Sequence, residues 1–348
     1  MTTLNVAVLG ATGAVGQRFV QLLDGHPWFK VTALTGSKRT VGGTYGEGCR
    51  WVLPTEMPEW ARYLPVVETK AGLDAAIVFS ALPTEQAKEV EPEFARAGQH
   101  VFSNASPHRM WADVPLLIPE VNAAHTRLVP VQREKRGWGG SIVTNCNCTA
   151  TGFTVSLKPL LDTFGVRRVF AVSLQAASGA GYPGVPSLDL IDNVIPYIGG
   201  EESKLHAEPR KMLGILDGEK IELAALTISA HTNRVAVIDG HLVCASVELE
   251  TAASPEEVVA AMESFRASDI VRDLPSSPAK VIEVRAESDR PQPRRDRNAG
   301  NGMTTVVGRV RADEIFHVKY AVTSHNTIKG AAGGSIHNAE LLVAEGLV

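Results

Sequence analysis

The sequence predicts an α/β fold, a doubly wound parallel sheet followed by an α+β domain, and three observations carry that prediction. A continuous apolar run, LNVAVLG at 4–10, stops at glycine and is followed by a helical pattern and a second strand-like run. The strand–helix alternation continues through residue 106. After Cys148 it gives way to runs that alternate as half-exposed strands do. Strands alternating with helices build a parallel sheet covered on both faces, the Rossmann type, whereas period-two runs build a sheet with one solvated face.

Each element has its own justification. Residues 4–10 lack alternation, the mark of a strand buried on both sides. GAVGQRFVQLLD at 13–24 sets Val15, Phe19, Leu22 and Leu23 on one helical face, and KVTALTG at 30–36 completes a βαβ unit. AAIVFSAL at 75–82 reads as a strand, TEQAKEVEPEFARAG at 84–98 as a helix stopped by Gly98, and HVFSNAS at 100–106 as a strand. Beyond the change of texture, TATGFTVSLKPLLDTFG at 149–165 is helical with a glycine stop. RRVFAVSLQAA at 167–177, RVAVID at 234–239, LVCASVELE at 242–250 and MTTVVGRVRA at 303–312 read as strands. The closing IKGAAGGSIHNAELLVAEGLV carries small and apolar residues at helical spacing. The expected organisation is a dinucleotide-binding domain over 1–147, with 326–348 packing back on it, and a catalytic and dimerisation domain over 148–325. REKRGWGG at 133–140 reads as an enlarged surface loop, and SDRPQPRRDRNAGNGM at 288–303 as an ordered loop or an oligomer contact.

Composition narrows the function. With 348 residues, 44% hydrophobic and 21% charged, the chain can bury two cores and is neither disordered nor fibrous. Lys plus Arg number 34 against 38 for Asp plus Glu, and no long basic run occurs. That balance argues against nucleic acid and membrane surfaces and leaves small molecules as partners. No apolar stretch is long enough to span a bilayer, and MTTLNVAVLG lacks a charged leader, so a cytoplasmic protein is expected. Cys49, Cys146, Cys148 and Cys244 are too few and too scattered for a disulfide framework.

Gly10, Gly13 and Gly16 form G-x-x-G-x-x-G between the first strand and first helix, where amides at a helix N-terminus can cradle a pyrophosphate. Thr12, Ala14 and Val15 lie in the same turn. The second strand ends in Ser37, Lys38 and Arg39 where an NAD site carries a carboxylate, so the cofactor is expected to be NADP(H). Cys148 lies near the start of the helix at 149–165, a position that favours thiolate. A thiolate beside a nicotinamide suggests acyl chemistry coupled to hydride transfer. Cys146-Asn147-Cys148 has no further ligands at metal spacing, so no metal is expected.

Eight segments in order then carry a resemblance: GATGAVGQ, NASPHRM, LIPEVN, NCNCTA, QAASGAGYPGVPSLD, IGGEESK, RVAVIDGH and HNTIKGAAGG. Over nearly its whole length the chain resembles the aspartate-β-semialdehyde dehydrogenase family, in its archaeal and fungal branch. The resemblance implies Cys148 as nucleophile, Gln175 as the amide orienting the adduct and His241 as acid/base. It also implies Arg234 on the substrate α-carboxylate, Glu201 on the ammonium, and Arg109, Lys204 and Asn145 on phosphate. Ser178, Gly179 and Asn326 are implied near the nicotinamide. The activity implied is NADPH-dependent reductive dephosphorylation of L-4-aspartyl phosphate to L-aspartate 4-semialdehyde, in a homodimer or homotetramer. Rival readings are an acyl-CoA reductase on the same scaffold, N-acetyl-γ-glutamyl-phosphate reductase, and an inactive NADP-sensing protein. Cys146 stands where Pro or Ala is expected and Thr149 where Ser is common; a second thiol there suggests peroxide-sensitive chemistry.

Overall fold

The computed structural model describes residues 3–348; Met1 and Thr2, at the start of the segment read for a leader, lie outside the described residues. Seven strands, β1 (Leu4–Leu9), β2 (Phe29–Thr35), β3 (Val66–Val67), β4 (Ile77–Ser80), β5 (His100–Ser103), β6 (Leu116–Leu117) and β7 (Ser141–Asn145), form one sheet. Its order is β3-β2-β1-β4-β5-β7-β6 and every pairing is parallel. The order reverses direction between β1 and β4, and at that switch point the carboxyl ends of the strands leave a crevice. Phe19 of helix Ala14–Leu22 stacks on Phe79 of β4 with centroids 5.0 Å apart, fixing that helix on the sheet.

The remaining strands are β8 (Val166–Gln175), the hairpin β9 (Ile215–Asp217) and β10 (Lys220–Glu222), β11 (Thr227–Arg234), β12 (His241–Leu249), β13 (Ile282–Arg285), β14 (Thr305–Ala312) and β15 (Val318–Ser324). Apart from the hairpin they form a mixed sheet ordered β11-β8-β12-β15-β14-β13. Helix Cys148–Phe164 covers its inner face against β8, β12, β14 and β15, while along β11 residues alternate buried and exposed. Helix Gly333–Ala344 returns to pack on β4, β5 and β7 of the first sheet.

Two expectations fail locally. Residues 235–239 form no strand: β11 ends at Arg234, and the chain turns so that Ala177 N–H and Ser178 N–H donate to the carbonyls of Val237 and Ile238. The apolar run VAVI misled because Ile238 is 73% exposed, an isolated surface hydrophobe rather than core. Residues 133–140 are not an enlarged loop either. Helix Leu128–Arg136 runs through them and closes at Gly137 with φ +63°, Trp138 is buried, and Arg136 lies over the Trp111 ring. Residues 288–303 are ordered around the buried Asp296, which accepts from Arg290, Arg285 and the Gln292 amide.

Candidate active site

Strand ends explain why distant residues meet. In the second sheet Gln175 ends β8 and Arg234 ends β11, paired directly in register. His241 begins the antiparallel β12 opposite Ser324, the last residue of β15, with Asn326 two residues on. These termini face the carboxyl edge of the first sheet across a cleft of about 660 Å³. Val15, Asn104, Arg109, Cys148, Gln175, Ser178, Gly179, Glu201, Lys204, Arg234 and Asn326 all line it.

Cys148 is the first residue of its helix, and Asn147 caps that helix by accepting from the Thr149 and Ala150 amides through Oδ1. The Asn147 Nδ2 donates to both oxygens of Glu201 at 3.0 and 2.8 Å, so one side chain couples the nucleophile turn to a buried carboxylate. Lys204, one turn along helix Glu201–Met212, donates to Glu201 at 2.7 Å, and Gln175 reaches it at 3.4 Å. The Cys148 sulfur lies 3.1 Å from His241 Nε2. Ala176 N–H donates to His241 Nδ1 at 3.0 Å, which leaves the neutral ring its proton on Nε2, facing the sulfur.

Electrostatics correct the expectation of a favoured thiolate. Burial, and next the Glu201 carboxylate, push the Cys148 thiol up to about 11, against the opposing pull of Arg109, Arg234 and Lys204. Burial, then Arg234 and His325, push His241 down to about 3. The resting pair is therefore a neutral thiol beside a neutral imidazole: loss of solvent outweighs the helix N-terminus.

Arg109 is buried; its Nη1 donates to Glu208 at 2.9 Å and its Nη2 to the Asn104 carbonyl at 2.7 Å. Its Nε is buried without a partner among the described residues, and Arg109 lines the cleft. Arg234 donates through Nη1 to the Ala176 carbonyl at 2.7 Å. A Cβ at Gly179 would stand 2.7 Å from Arg234 Nη1 and 3.0 Å from His241 Cε1, so only glycine lets the 177–180 turn approach both. Asn326 fastens that turn, donating to Ser178 Oγ and accepting from the Gly240 amide, each at 2.8 Å.

The cofactor turn has the shape its sequence suggests. Gly10 has φ +67°, and a Cβ on Gly16 would sit 2.2 Å from the Gly10 carbonyl. Gly13 precedes helix Ala14–Leu22 with no side-chain cap, so first-turn amides around Thr12, Ala14 and Val15 stay open to a phosphate. Ser37, Lys38 and Arg39 are exposed just past β2.

Asn145 and Cys146 do not enter the cleft. Asn145 is buried and donates to the Ala331 carbonyl at 3.0 Å and Asn104 Oδ1 at 3.3 Å, so Asn104 is the amide that faces the cleft. Cys146 is buried, bonded to Thr151 Oγ1 at 3.0 Å, and burial pushes its thiol up to about 12, which removes the basis for peroxide chemistry there. Sequence reasoning missed Asn104, the Asn147 cap and Glu208. Asn directly before a helical run is a capping signal, and Glu201, Lys204 and Glu208 share a helical face.

Comparison with known proteins identifies the family. The family described as "Semialdehyde dehydrogenase, NAD binding domain" matches residues 5–129, and "Semialdehyde dehydrogenase, dimerisation domain" matches residues 157–329. An aspartate-semialdehyde dehydrogenase of Archaeoglobus fulgidus is 54% identical over 345 residues, 99% of both chains. The chain belongs to the aspartate-semialdehyde dehydrogenase family. Its family member from Schizosaccharomyces pombe is 42% identical over 357 residues and 100% of each chain. The aspartate-semialdehyde dehydrogenase of Candida albicans, solved with NADP, aligns over 100% of both chains at 38% identity and a TM-score of 0.91. A Vibrio cholerae aspartate-semialdehyde dehydrogenase II complexed with ASA has a TM-score of 0.79 at 26% identity over 99% of both. The acyl-CoA reductase alternative finds no support in these relatives.

Proposed function

We propose that this member of the aspartate-semialdehyde dehydrogenase family reductively dephosphorylates L-4-aspartyl phosphate to L-aspartate 4-semialdehyde and phosphate with NADPH, using Cys148 as nucleophile. The observation that carries the reading is the Cys148 sulfur 3.1 Å from His241 in a cleft that also presents two arginines and Glu201. Gly10, Gly13, Gly16 and the open first-turn amides would hold the pyrophosphate, with Ser37, Lys38 and Arg39 on the 2′-phosphate. NADPH, when bound, supplies the hydride.

The chain's own residues do the rest. Arg234 takes the α-carboxylate and Glu201 the ammonium, leaving Arg109 and Lys204 for the phosphate. The Cys148 sulfur attacks the acyl carbonyl, the C–O bond to phosphate breaks and the thiol proton leaves with the phosphate, giving a thioester; after reduction the tetrahedral adduct collapses to aldehyde, its C–S bond breaks, and the freed sulfur takes up one proton from solvent. His241 Nε2–H supports the sulfur as it gains charge, and Gln175 steadies the adduct. A second ring proton can enter only at Nδ1, so proton exchange through His241 opens the Ala176 bond.

The division of labour follows the fold: residues 1–147 with 326–348 hold the cofactor, and 148–325 carry the nucleophile. The exposed face of the second sheet, with Phe170 39% exposed and, in the adjoining β14–β15 turn, Ile315 86% exposed, supports self-association as a homodimer or homotetramer. Its thiols are unpaired, as a cytoplasmic enzyme requires. Among the described residues no helix is long and apolar enough to cross a membrane.

The test is phosphate-dependent oxidation of L-aspartate 4-semialdehyde with NADP⁺ by wild type and Cys148→Ala. Wild type is expected to be active and the variant to lose at least about 10⁴-fold; retained activity in the variant sinks the mechanism.

A further inference from the structure

Glu208 is a buried carboxylate that touches both Arg109 and the nucleophile turn while lying outside the cleft. It sits on helix Glu201–Met212, two turns from Glu201, and is 2% exposed. Its Oε1 accepts from Arg109 Nη1 at 2.9 Å, and its Oε2 accepts from the Asn147 backbone N–H at 2.6 Å. Asn147 is the cap of the helix that Cys148 begins. One carboxylate thus joins the cleft arginine, the nucleophile turn and the helix bearing Glu201 and Lys204.

Both partners are donors, so neither oxygen is replaceable by an amide NH₂ without setting donor against donor. The pair is also asymmetric in a useful way. Glu208 and the Asn104 carbonyl each take one N–H, on the two terminal nitrogens of Arg109, so three of its five N–H groups remain, and Arg109 still lines the cleft. A guanidinium held by both ends cannot swing, so the face it turns to the cleft keeps one direction relative to Cys148. The Glu208 charge raises the Arg109 pKa despite burial, which disfavours the charged form, and so keeps the cation in place between ligands.

We infer that Glu208 is a positioning residue for phosphate: it acts through Arg109, fixing the guanidinium, and ties that orientation to the nucleophile turn through Asn147. This rests on the reading of Arg109 as the phosphate anchor given above. Glu201 takes its bonds from the Asn147 side chain and Lys204, whereas Glu208 touches only the Asn147 backbone N–H, so recognition of the substrate ammonium should respond less to Glu208 than phosphate does.

The experiment measures KM for phosphate and for L-aspartate 4-semialdehyde, with NADP⁺ saturating, in wild type, Arg109→Ala, Glu208→Gln and the double variant. Arg109→Ala and Glu208→Gln are each expected to raise the phosphate KM about tenfold or more. The semialdehyde KM in Glu208→Gln should stay within about twofold, and the double variant should be no worse for phosphate than Arg109→Ala alone. If Arg109→Ala leaves the phosphate KM unchanged, the anchor reading itself fails. If Arg109→Ala raises it but Glu208→Gln moves both KM values in parallel, or the two effects multiply in the double variant, the role given to Glu208 is overturned. Glu208→Asp is run alongside, because losing a buried charge can prevent folding; it keeps the charge but cannot span both partners. It is expected to show the same selective rise, and an unchanged phosphate KM in it also overturns the inference.

Discussion

The Cys148 sulfur meets His241 Nε2 at 3.1 Å while the opposite nitrogen of the ring accepts the Ala176 amide, so the nucleophile faces a proton donor, not an empty lone pair. With the thiol pushed up to about 11 by burial and then by Glu201, the free enzyme holds little thiolate near neutrality. The rate of Cys148 alkylation by iodoacetamide is therefore expected to climb about tenfold per pH unit and to be rising still at pH 9, since reaction follows thiolate fraction. A plateau below pH 8 in ligand-free enzyme contradicts a buried neutral pair.

His241→Asn should lower kcat by about 10²–10⁴-fold, the usual worth of a positioned acid/base group. Nitrogen-15 spectra of wild type should show the His241 ring neutral with its proton on Nε2 from pH 5 to pH 9, because burial holds its pKa down to about 3. An imidazolium signal at pH 6 counts against the Ala176 constraint.

Coenzyme choice rests on an exposed turn. Lys38 and Arg39 follow β2 in solvent, free to close on a 2′-phosphate that NADH lacks. Arg39→Ala is expected to raise the KM for NADPH about 10–150-fold, the roughly 1.5–3 kcal/mol of a charge-assisted bond, and to leave the KM for NADH unchanged. Equal effects on both coenzymes reassign Arg39 to a general role.

How much of this was legible in the sequence depends on whether the signal was local. The strands Leu4–Leu9 and Phe29–Thr35, and the glycines between strand and helix, follow from periodicity and turn chemistry, which act over a few residues. Cys148 at a helix start was equally readable. Its raised pKa was not, because burial and the Glu201 carboxylate arrive from segments 53 and more residues away in the chain. The strand expected at 234–239 failed for a related reason: an apolar tetrapeptide bonds a neighbouring turn instead of the sheet, and only tertiary structure decides that. Glu208 was visible as the next member of the Glu201, Lys204 face, yet its partners Arg109 and Asn147 lie 99 and 61 residues away.

Asn147 joins stability to function. Its Oδ1 caps the helix of Cys148, and its Nδ2 is committed to Glu201. Asn147→Ala should cost about 1–2 kcal/mol from the cap alone, read as a lower urea midpoint at unchanged slope. The same variant should raise the KM for the semialdehyde, since Glu201 loses the donor that orients it. A stability loss with kinetics untouched separates the cap from the substrate site.

A second buried ion pair holds the cleft's far wall. Lys329 donates to Glu120, His337 Nδ1 stands 3.7 Å from the other Glu120 oxygen, and Lys329 lies in the turn Ile328–Ala332 beside Asn326. Burial opposes the charge on Glu120, but Lys329 and then His337 hold its carboxyl below the ordinary range. A carboxylate depressed in the folded state contributes stability that is full above its unfolded value of about 4.3 and is lost as pH falls through the folded one. Lys329→Met strands that carboxylate in a dry site and should cost about 3–5 kcal/mol. Adding Glu120→Gln removes the stranded charge, so the double variant should recover part of the loss, because breaking a buried pair is worse than replacing it. Urea midpoints of the two single variants and the double decide this. A double variant whose loss equals the sum of the singles means that Lys329 and Glu120 act independently, and that the turn carrying Asn326 is held by something other than their charge.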